Sequence, residues 1–300
     1  MKFLAKVAIL GSVGLDIVLG PVNKPPMWGH EVVVSEMSMR FTGAAGNTAA
    51  VLRALGDDVD ILSVVGNDYL GKLFIEVYKK MGIKKDIKTV KGNTSVSIGI
   101  KRPDGERFFI THLGVAEKAD YSEIFKNYDF NQKIILVCGV NLIPCMWRET
   151  FSEFLGEVRK VAKVLIDPGC PENWEAFRPV ISRLIENADL FLPNSNEFLK
   201  LTGKYNLSEA FEEYSARFET PAVVKLGEQG AIYLDRKEKI NSNGKRVKRI
   251  IDTVGAGDAF NAGIIHSLLK KGKIGPKELD FANKVAAEWI SGGFRSSVDA

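Results

Sequence analysis

Apolar runs of strand length alternate with amphipathic helical stretches along most of this 300-residue chain. The predicted strands are Lys6–Gly11, Asp60–Val65, Lys133–Cys138, Val164–Asp167, Leu190–Leu192, Ala222–Leu226 and Ala231–Leu234. The predicted helices are Asn47–Leu55, Leu70–Met81, Trp147–Val161, Trp174–Asn187, Asn196–Thr202, Leu207–Phe218, Ala259–Lys271 and Pro276–Ser291. Such alternation is typical of a doubly wound, mainly parallel sheet with helices on both faces. We therefore predict an α/β fold of this class.

Two segments, Val32–Phe41 and Thr94–Thr111, interrupt the alternation because both are rich in strand-forming residues with no helix between strands. Within the second, Arg102–Glu106 contains Pro, Asp and Gly and reads as a hairpin turn. We expect a small β-sheet lid, formed by about 13–41 and 94–112, inserted into a single domain that spans 1–300. Such a sheet would cover a cleft or join a second subunit.

The charge and the cysteines exclude several classes of function. The formal net charge is +4 and the basic residues are spread along the chain, so we expect no nucleic-acid partner. No apolar run approaches the ~20 residues that span a bilayer, and the apolar N-terminus is broken at Gly11 and Ser12, so we expect no membrane partner. The three cysteines and three histidines match no metal or disulfide pattern, which suits a cytoplasmic protein.

The segment Asp252–Gly263 places two glycines and a carboxylate at the start of an apolar helix. Amides in the first turn of a helix have no partner within the helix, and the positive end of the helix dipole lies there. Glycines let an anion approach these amides, and an adjacent acid such as Asp258 can take a proton from a hydroxyl. A flexible turn with an acid near a helix start is the alternative interpretation.

Four further clusters suggest ligand contacts. Asp16 follows the first predicted strand, where open α/β sheets bind ligands. Small residues from Gly43 lead into a helix that carries Asn47, which suits a polyol, although a tight packing turn is an equal alternative. In Asn194-Ser195-Asn196-Glu197, Glu197 would reach a hydrated Mg²⁺, or Asn194 would simply cap a helix. The last cluster, Lys225–Gly230, is a glycine turn that either admits a base or phosphates or forms a plain hairpin.

In this order, the motifs resemble the ribokinase-like (PfkB) family of carbohydrate kinases over essentially the whole chain. Asp252–Gly263 is similar to the C-terminal signature of the family and Gly43–Gly56 to its N-terminal one. The resemblance implies that Asp258 is the catalytic base. It also implies an anion hole for the γ-phosphoryl at Gly255, Ala256 and Gly257.

The resemblance assigns the other ligand contacts as well. It places Asp16, Gly43 and Asn47 on the sugar hydroxyls, and Asn194 and Glu197 at the Mg²⁺ and the phosphates. The nucleotide would be lined by Lys225, Gly227, Gly230 and Asn283, and Arg107 would belong to the lid. A possible K⁺ would lie between Asp252, Val254 and the loop 292–297.

The resemblance implies an ATP- and Mg²⁺-dependent kinase that phosphorylates a hydroxyl, expected to be a primary one, of a small monosaccharide or sugar acid, with a homodimer through the lid. A nucleoside kinase on the same scaffold and a non-catalytic sugar-binding regulator are the alternatives. Three sites depart from the family pattern, and one of them is Val137–Asn141, which lacks the acid that some ribose-type members place near there. Gly14 stands where sugar-binding members often have Asn, and Lys225 stands where a small hydroxyl residue is common.

Overall fold

The computed structural model describes residues 6–294, with the backbone alone at positions 84 and 85. In chain order, the strands of this part are β1 (Val7–Gly11), β2 (Gly14–Gly20), β3 (Glu36–Thr42), β4 (Val59–Gly66), β5 (Lys84–Val90), β6 (Val96–Lys101), β7 (Arg107–His112), β8 (Ile134–Cys138), β9 (Lys163–Ile166), β10 (Leu190–Phe191), β11 (Ala222–Lys225), β12 (Ala231–Leu234) and β13 (Lys239–Ser242). The α-helices are α1 (Ala44–Ala54), α2 (Tyr69–Lys80), α3 (Tyr121–Phe125), α4 (Glu149–Arg159), α5 (Trp174–Glu186), α6 (Ser195–Thr202), α7 (Leu207–Arg217), α8 (Ala256–Lys271) and α9 (Pro276–Ile290). Short 3₁₀ helices lie at Gly114–Glu117, Val140–Leu142, Pro144–Trp147 and Gly227–Gln229.

Nine strands form the main sheet in the order β13-β12-β11-β10-β9-β8-β1-β4-β5. Those from β11 to β5 in this order run parallel, whereas β12 and β13 pair antiparallel. Because every residue of β1 and β8 is buried, these central strands are continuous apolar runs, as parallel strands covered on both faces require. The predicted fold class is confirmed.

Helices cover both faces of the main sheet. One apolar core joins one face to α3, α4, α5, α6 and α7, and a second joins the other face to α1, α2, α8 and α9. Strand β1 lies between β4 and β8 in the sheet, so the order of the strands along the chain reverses at β1. The carboxyl ends of strands around such a reversal are where α/β sheets bind ligands.

The second sheet has four strands in the order β3-β2-β6-β7 and is formed by the two segments expected for the lid. Strand β2 pairs antiparallel with β3 and parallel with β6, and β6 and β7 form the predicted hairpin. The prediction placed a strand over Val32–Phe41, but β3 begins only at Glu36.

Two strands of the main sheet, β5 and β13, were not predicted. They are its two edges, and both carry polar residues. Edge strands are often polar because this discourages pairing with other chains, and the alternating pattern is then lost. The first helix also begins earlier than the predicted Asn47, directly after Gly43, which has φ +80°. Within residues 6–294, no helix is long and apolar enough to cross a membrane.

Candidate active site

Helix α8 begins at a glycine turn. Gly255 adopts the left-handed conformation with φ +80°, and a Cβ there would lie 2.9 Å from the Trp289 ring and 3.1 Å from Asn47 Nδ2. Both the backbone angle and the space therefore require glycine. Among the amides predicted to form the anion hole, that of Ala256 donates to Thr253 O at 3.2 Å and closes the turn.

Asp258 lies in the first turn of α8, where α8 packs against α1. Asn47 Nδ2 donates to Asp258 Oδ2 at 2.8 Å, and Thr48 Oγ1 donates to the Asp258 carbonyl at 3.3 Å. Burial raises the pKa of Asp258 to about 7, and the charge of Asp167 adds to the rise. Two residues from the two predicted signatures therefore meet, and the carboxyl titrates where a general base at neutral pH should.

Asp16 lies on β2, on the face of the small sheet that also carries Arg40, Ser97 and Thr111 at paired positions. Thr42 Oγ1 donates to Asp16 Oδ2 at 2.7 Å, and burial raises the pKa of Asp16. Asp16 contributes to the raised pKa of Asp258, so the two carboxyls belong to one site. Around Asp16 this face of the lid is therefore polar, and Val18 and Phe109 are apolar residues farther along it.

Gly14 and Gly43 are explained by packing close to this site. A Cβ on Gly14 would lie 2.9 Å from Ser95 O of the neighbouring chain segment, and one on Gly43 would lie 2.6 Å from Ser12 O. No side chain fits at either position without a backbone shift. The residue at position 14 is therefore determined by how the lid joins the main sheet.

Asn194 and Glu197 form a capping box at the start of α6. Asn194 Oδ1 accepts from the Glu197 amide at 2.9 Å, and Glu197 Oε2 accepts from the Asn194 amide at 2.8 Å. Glu197 is buried, and burial followed by the charge of Asp167 raises its pKa to about 7. The capping role that the sequence left open is present, and it fixes Glu197 near Asp167.

Lys225, at the end of β11, does not line the glycine turn that follows it. Its ammonium lies 2.7 Å from Asp167 Oδ2 and 3.4 Å from Oδ1 of Asn261, a residue in the second turn of α8. Asn261 Nδ2 also donates to Asp167 Oδ2, at 2.6 Å. The carboxyl ends of β9, β10 and β11 thus bring Asp167, Glu197 and Lys225 beside Asp258.

The other residues predicted to line the nucleotide lie around the β11–β12 turn. Gly227 has φ +62° and open space around it, since a Cβ there would meet no atom within 4 Å, whereas Gly230, with φ +101°, packs against the Ser242 carbonyl. The Asn283 side chain on α9 donates to Ser242 O, Ser242 Oγ and Asn243 O at 3.1–3.3 Å. These contacts hold the turn, the end of β13 and α9 together.

Asp252, one of the predicted monovalent-cation ligands, is bound by lid arginines. Arg107 donates to Oδ1 at 2.7 Å and Arg40 to Oδ2 at 3.0 Å, while Trp289 Nε1 donates to the Val254 carbonyl at 2.6 Å. The donors to Asp252, including the Val254 amide, hold its pKa below the usual range despite burial. Both predicted ligands accept hydrogen bonds from these donors, the K⁺ site stays a prediction, and positions 295–297 of the predicted loop lie outside the described residues.

Sequence reasoning assigned no role to Asp167, Asn261 or Arg40. Asp167 ends a predicted strand and Asn261 lies within the Asp252–Gly263 motif, so the signal for both is a polar residue beside a strand end or helix start. Arg40 gave no such signal because its role depends on how the lid folds over Asp252. Lys225 was found, but its partners were not.

The comparisons with known proteins agree with this geometry. The sequence profile of the pfkB family carbohydrate kinases matches residues 5–293. The 2-dehydro-3-deoxygluconokinase of Bacillus subtilis (strain 168) is 27% identical over 80% of this chain and 77% of its own. The ribokinase of Thermotoga maritima superposes with a TM-score of 0.79 at 25% identity, covering 99% of this chain and 97% of that one. The nucleoside kinase of Methanocaldococcus jannaschii superposes with a TM-score of 0.76 at 20% identity, covering 99% of this chain and 95% of that one. The chain is therefore a member of the pfkB family of carbohydrate kinases.

Proposed function

We propose that the protein transfers the γ-phosphoryl group of ATP to a primary hydroxyl of a small monosaccharide or sugar acid. One observation carries the proposal. Asp258 is held by Asn47 next to the glycine turn that begins α8, and its pKa of about 7 lets it act as a base at neutral pH.

In this mechanism, Asp258 accepts the proton of the acceptor hydroxyl as the hydroxyl oxygen attacks the γ-phosphorus. The amides of Gly255 and Gly257, with the dipole of α8, stabilise the charge on the transferred group. The Ala256 amide, which was also predicted for this role, already donates to Thr253 O and stays outside it. The carboxylate of Asp167 lies close enough to Glu197 to raise the pKa of Glu197. The two carboxylates together form an oxygen donor set that fits a Mg²⁺ that keeps several waters. When bound, Mg²⁺ would neutralise phosphate charge.

The cleft face of the lid supports a polyhydroxy acceptor. It carries Asp16, Thr42, Ser97 and Thr111, which are hydrogen-bonding side chains, together with Arg40. Asp16, Gly43 and Asn47 would contact the acceptor at the junction of lid and main sheet. Arg40 and Arg107 on this face donate to Asp252, so the other polar side chains make the acceptor contacts and fit a neutral sugar and a sugar acid alike.

The donor would bind on the other side of the site. Asn194 and Glu197 would face its phosphates, Gly227 and Gly230 would line the nucleotide, and Asn283 would fix the wall beside the adenine through its contacts with Ser242 and Asn243. We place the enzyme in the cytoplasm because its donor is there, and because the cysteines of the described residues are free.

The outer face of the lid supports a homodimer. Side chains alternate along a strand, so this face carries the residues opposite to the Asp16 face. Except for His112, its exposed members are apolar, namely Met37, Met39, Ile98, Phe108 and Ile110. A continuous apolar face of this kind marks an interface, and we propose a second copy of this chain as its occupant.

A coupled assay of ADP release with Mg²⁺-ATP tests the function. The acceptor panel contains ribose, fructose, fructose 6-phosphate, 2-dehydro-3-deoxygluconate and nucleosides. Turnover of one sugar or sugar acid supports the proposal and names the acceptor. Turnover of nucleosides alone would replace it with a nucleoside kinase, and ATP binding without any turnover would favour a sugar-binding regulator.

A further inference from the structure

The ammonium of Lys225 is held rigidly inside the site. The side chain is only 11% exposed, and its ion pair with Asp167 is reinforced by Asn261, which contacts both partners. A lysine in contact with a nucleotide at the surface would need no such tether. The contacts instead point the charge toward the start of α8.

The ammonium lies against the glycine turn predicted to bind the transferred group. A Cβ built on Gly257 would lie 3.5 Å from Lys225 Nζ, so the ammonium lies directly beside the face of Gly257 that a side chain would occupy. Glycine at this position keeps the space between the ammonium and the turn open. A phosphate oxygen that approaches the turn would therefore also meet Lys225.

Carboxylates surround this ammonium. Burial alone would lower the pKa of Lys225, but Asp167, Glu197 and Asp258 raise it above its usual value, so the side chain is charged at neutral pH. In return, Lys225 lowers the pKa of both Glu197 and Asp258 against the effect of burial. The lysine thus balances charges that would otherwise repel ATP.

We propose that Lys225 binds the γ-phosphate of ATP directly, with Asp167 and Asn261 as positioning residues. This inference rests on the proposed function and places Lys225 at the reacting phosphate rather than along the nucleotide. An ammonium has three N–H donors. Asp167 and Asn261 accept two of them, and the third is donated to a phosphate oxygen.

Calorimetric titration with ATP and with ADP, in Mg²⁺ and without an acceptor, tests the inference. Lys225→Met removes the charge at nearly constant length and should weaken ATP binding about tenfold or more, the effect of losing a charged hydrogen bond, while ADP binding changes less than threefold. Lys225→Arg should recover most of the ATP preference. Lys239→Met, an exposed lysine of β13, is the matched control. The inference is wrong if Lys225→Met keeps the wild-type ratio of ATP to ADP affinity.

If Lys225→Met does not fold, Asn261→Ala gives the same test, because it weakens the tether without removing a proposed Mg²⁺ donor and must also lower the ratio of ATP to ADP affinity. A wild-type ratio in that variant would equally overturn the inference. Turnover of the acceptor panel by the wild-type enzyme decides the proposed function separately, since the nucleotide titrations contain no acceptor.

Discussion

Asp258 is the residue on which the proposed chemistry depends. In Asp258→Asn, the amide oxygen can still accept from Asn47 Nδ2, so the fold should be retained. Without the base, kcat should fall about 10²–10⁴-fold. Steady-state kinetics with the identified acceptor measures this, and Asp280→Asn, an exposed acid of α9, is the control. Near-normal turnover of Asp258→Asn would remove the proposed base.

The raised pKa of Asp258 also has a cost in stability. The carboxyl has a pKa of about 7 in the folded state and an ordinary value of 3.8, so the folded state binds more protons between these values. Wild-type stability should therefore fall as the pH rises from about 4 to 7. Asp258→Asn should melt at a higher temperature than wild type at pH 8, and the difference should vanish near pH 4. An equal difference at both pH values would contradict the raised pKa.

At the scale of single residues, sequence patterns identified side chains more reliably than their partners. Asp258 and Asn47 lie in separate motifs, and the structure joins them by a hydrogen bond. Lys225 was assigned to the nucleotide because its strand leads into a glycine turn, but the Lys225 side chain bends toward Asp167. That direction depends on β9 lying near β11, which no local pattern reports.

Helix α8 carries a left-handed glycine at each end, and this provides a matched pair of variants. Gly272→Ala should cost about 1–2 kcal/mol from the left-handed backbone alone, because no atom lies within 4 Å of the new Cβ. Gly255→Ala should cost more, since its Cβ meets Trp289 and Asn47.

The two variants should also differ in activity. Gly255→Ala displaces Asn47, the partner of the proposed base, whereas Gly272→Ala lies at the far end of the helix. Urea denaturation and kcat measure the two effects. Equal loss of kcat in both variants would show that the glycine turn has no special role in catalysis.

At the scale of elements, the buried strands were the most predictable because each is a continuous apolar run bounded by polar residues. The start of α8 was predicted at Ala259, but the helix begins at Ala256, so that Asp258 lies within its first turn. Small residues give no apolar period, and the left-handed Gly255 sets the boundary instead. The edge strands β5 and β13 were missed because pairing, rather than composition, defines them.

At the scale of the whole molecule, the outer face of the lid predicts the oligomeric state. Ile110 on the edge strand β7 is 64% exposed on this apolar face. Ile110→Glu would bury a charge in the proposed interface and should convert a dimer to a monomer. Sedimentation velocity measures the change. Val161→Glu, which replaces a similarly exposed residue after α4, should leave the dimer intact, and a wild-type monomer would refute the proposal.

The order of the layers was predictable from the sequence, but the closure of the lid was not. Arg40 and Arg107 cross from the small sheet to Asp252, and Arg107 Nη2 also donates to Thr253 Oγ1 at 2.6 Å. These contacts join residues far apart in the chain. Only the assembled fold shows that the lid and the glycine turn are linked.

The four lid strands pair only with one another within the described sheets, and the main sheet carries Asp167, Glu197 and Lys225 at its strand ends. In the proposed function, the lid sheet supplies part of the acceptor site, and the strand ends of the main sheet lie beside the reacting phosphate. A side-chain substitution on the lid face therefore breaks no backbone pair of the main sheet. On this proposal, a change of acceptor preference requires substitutions in one small sheet and leaves the residues at the strand ends in place.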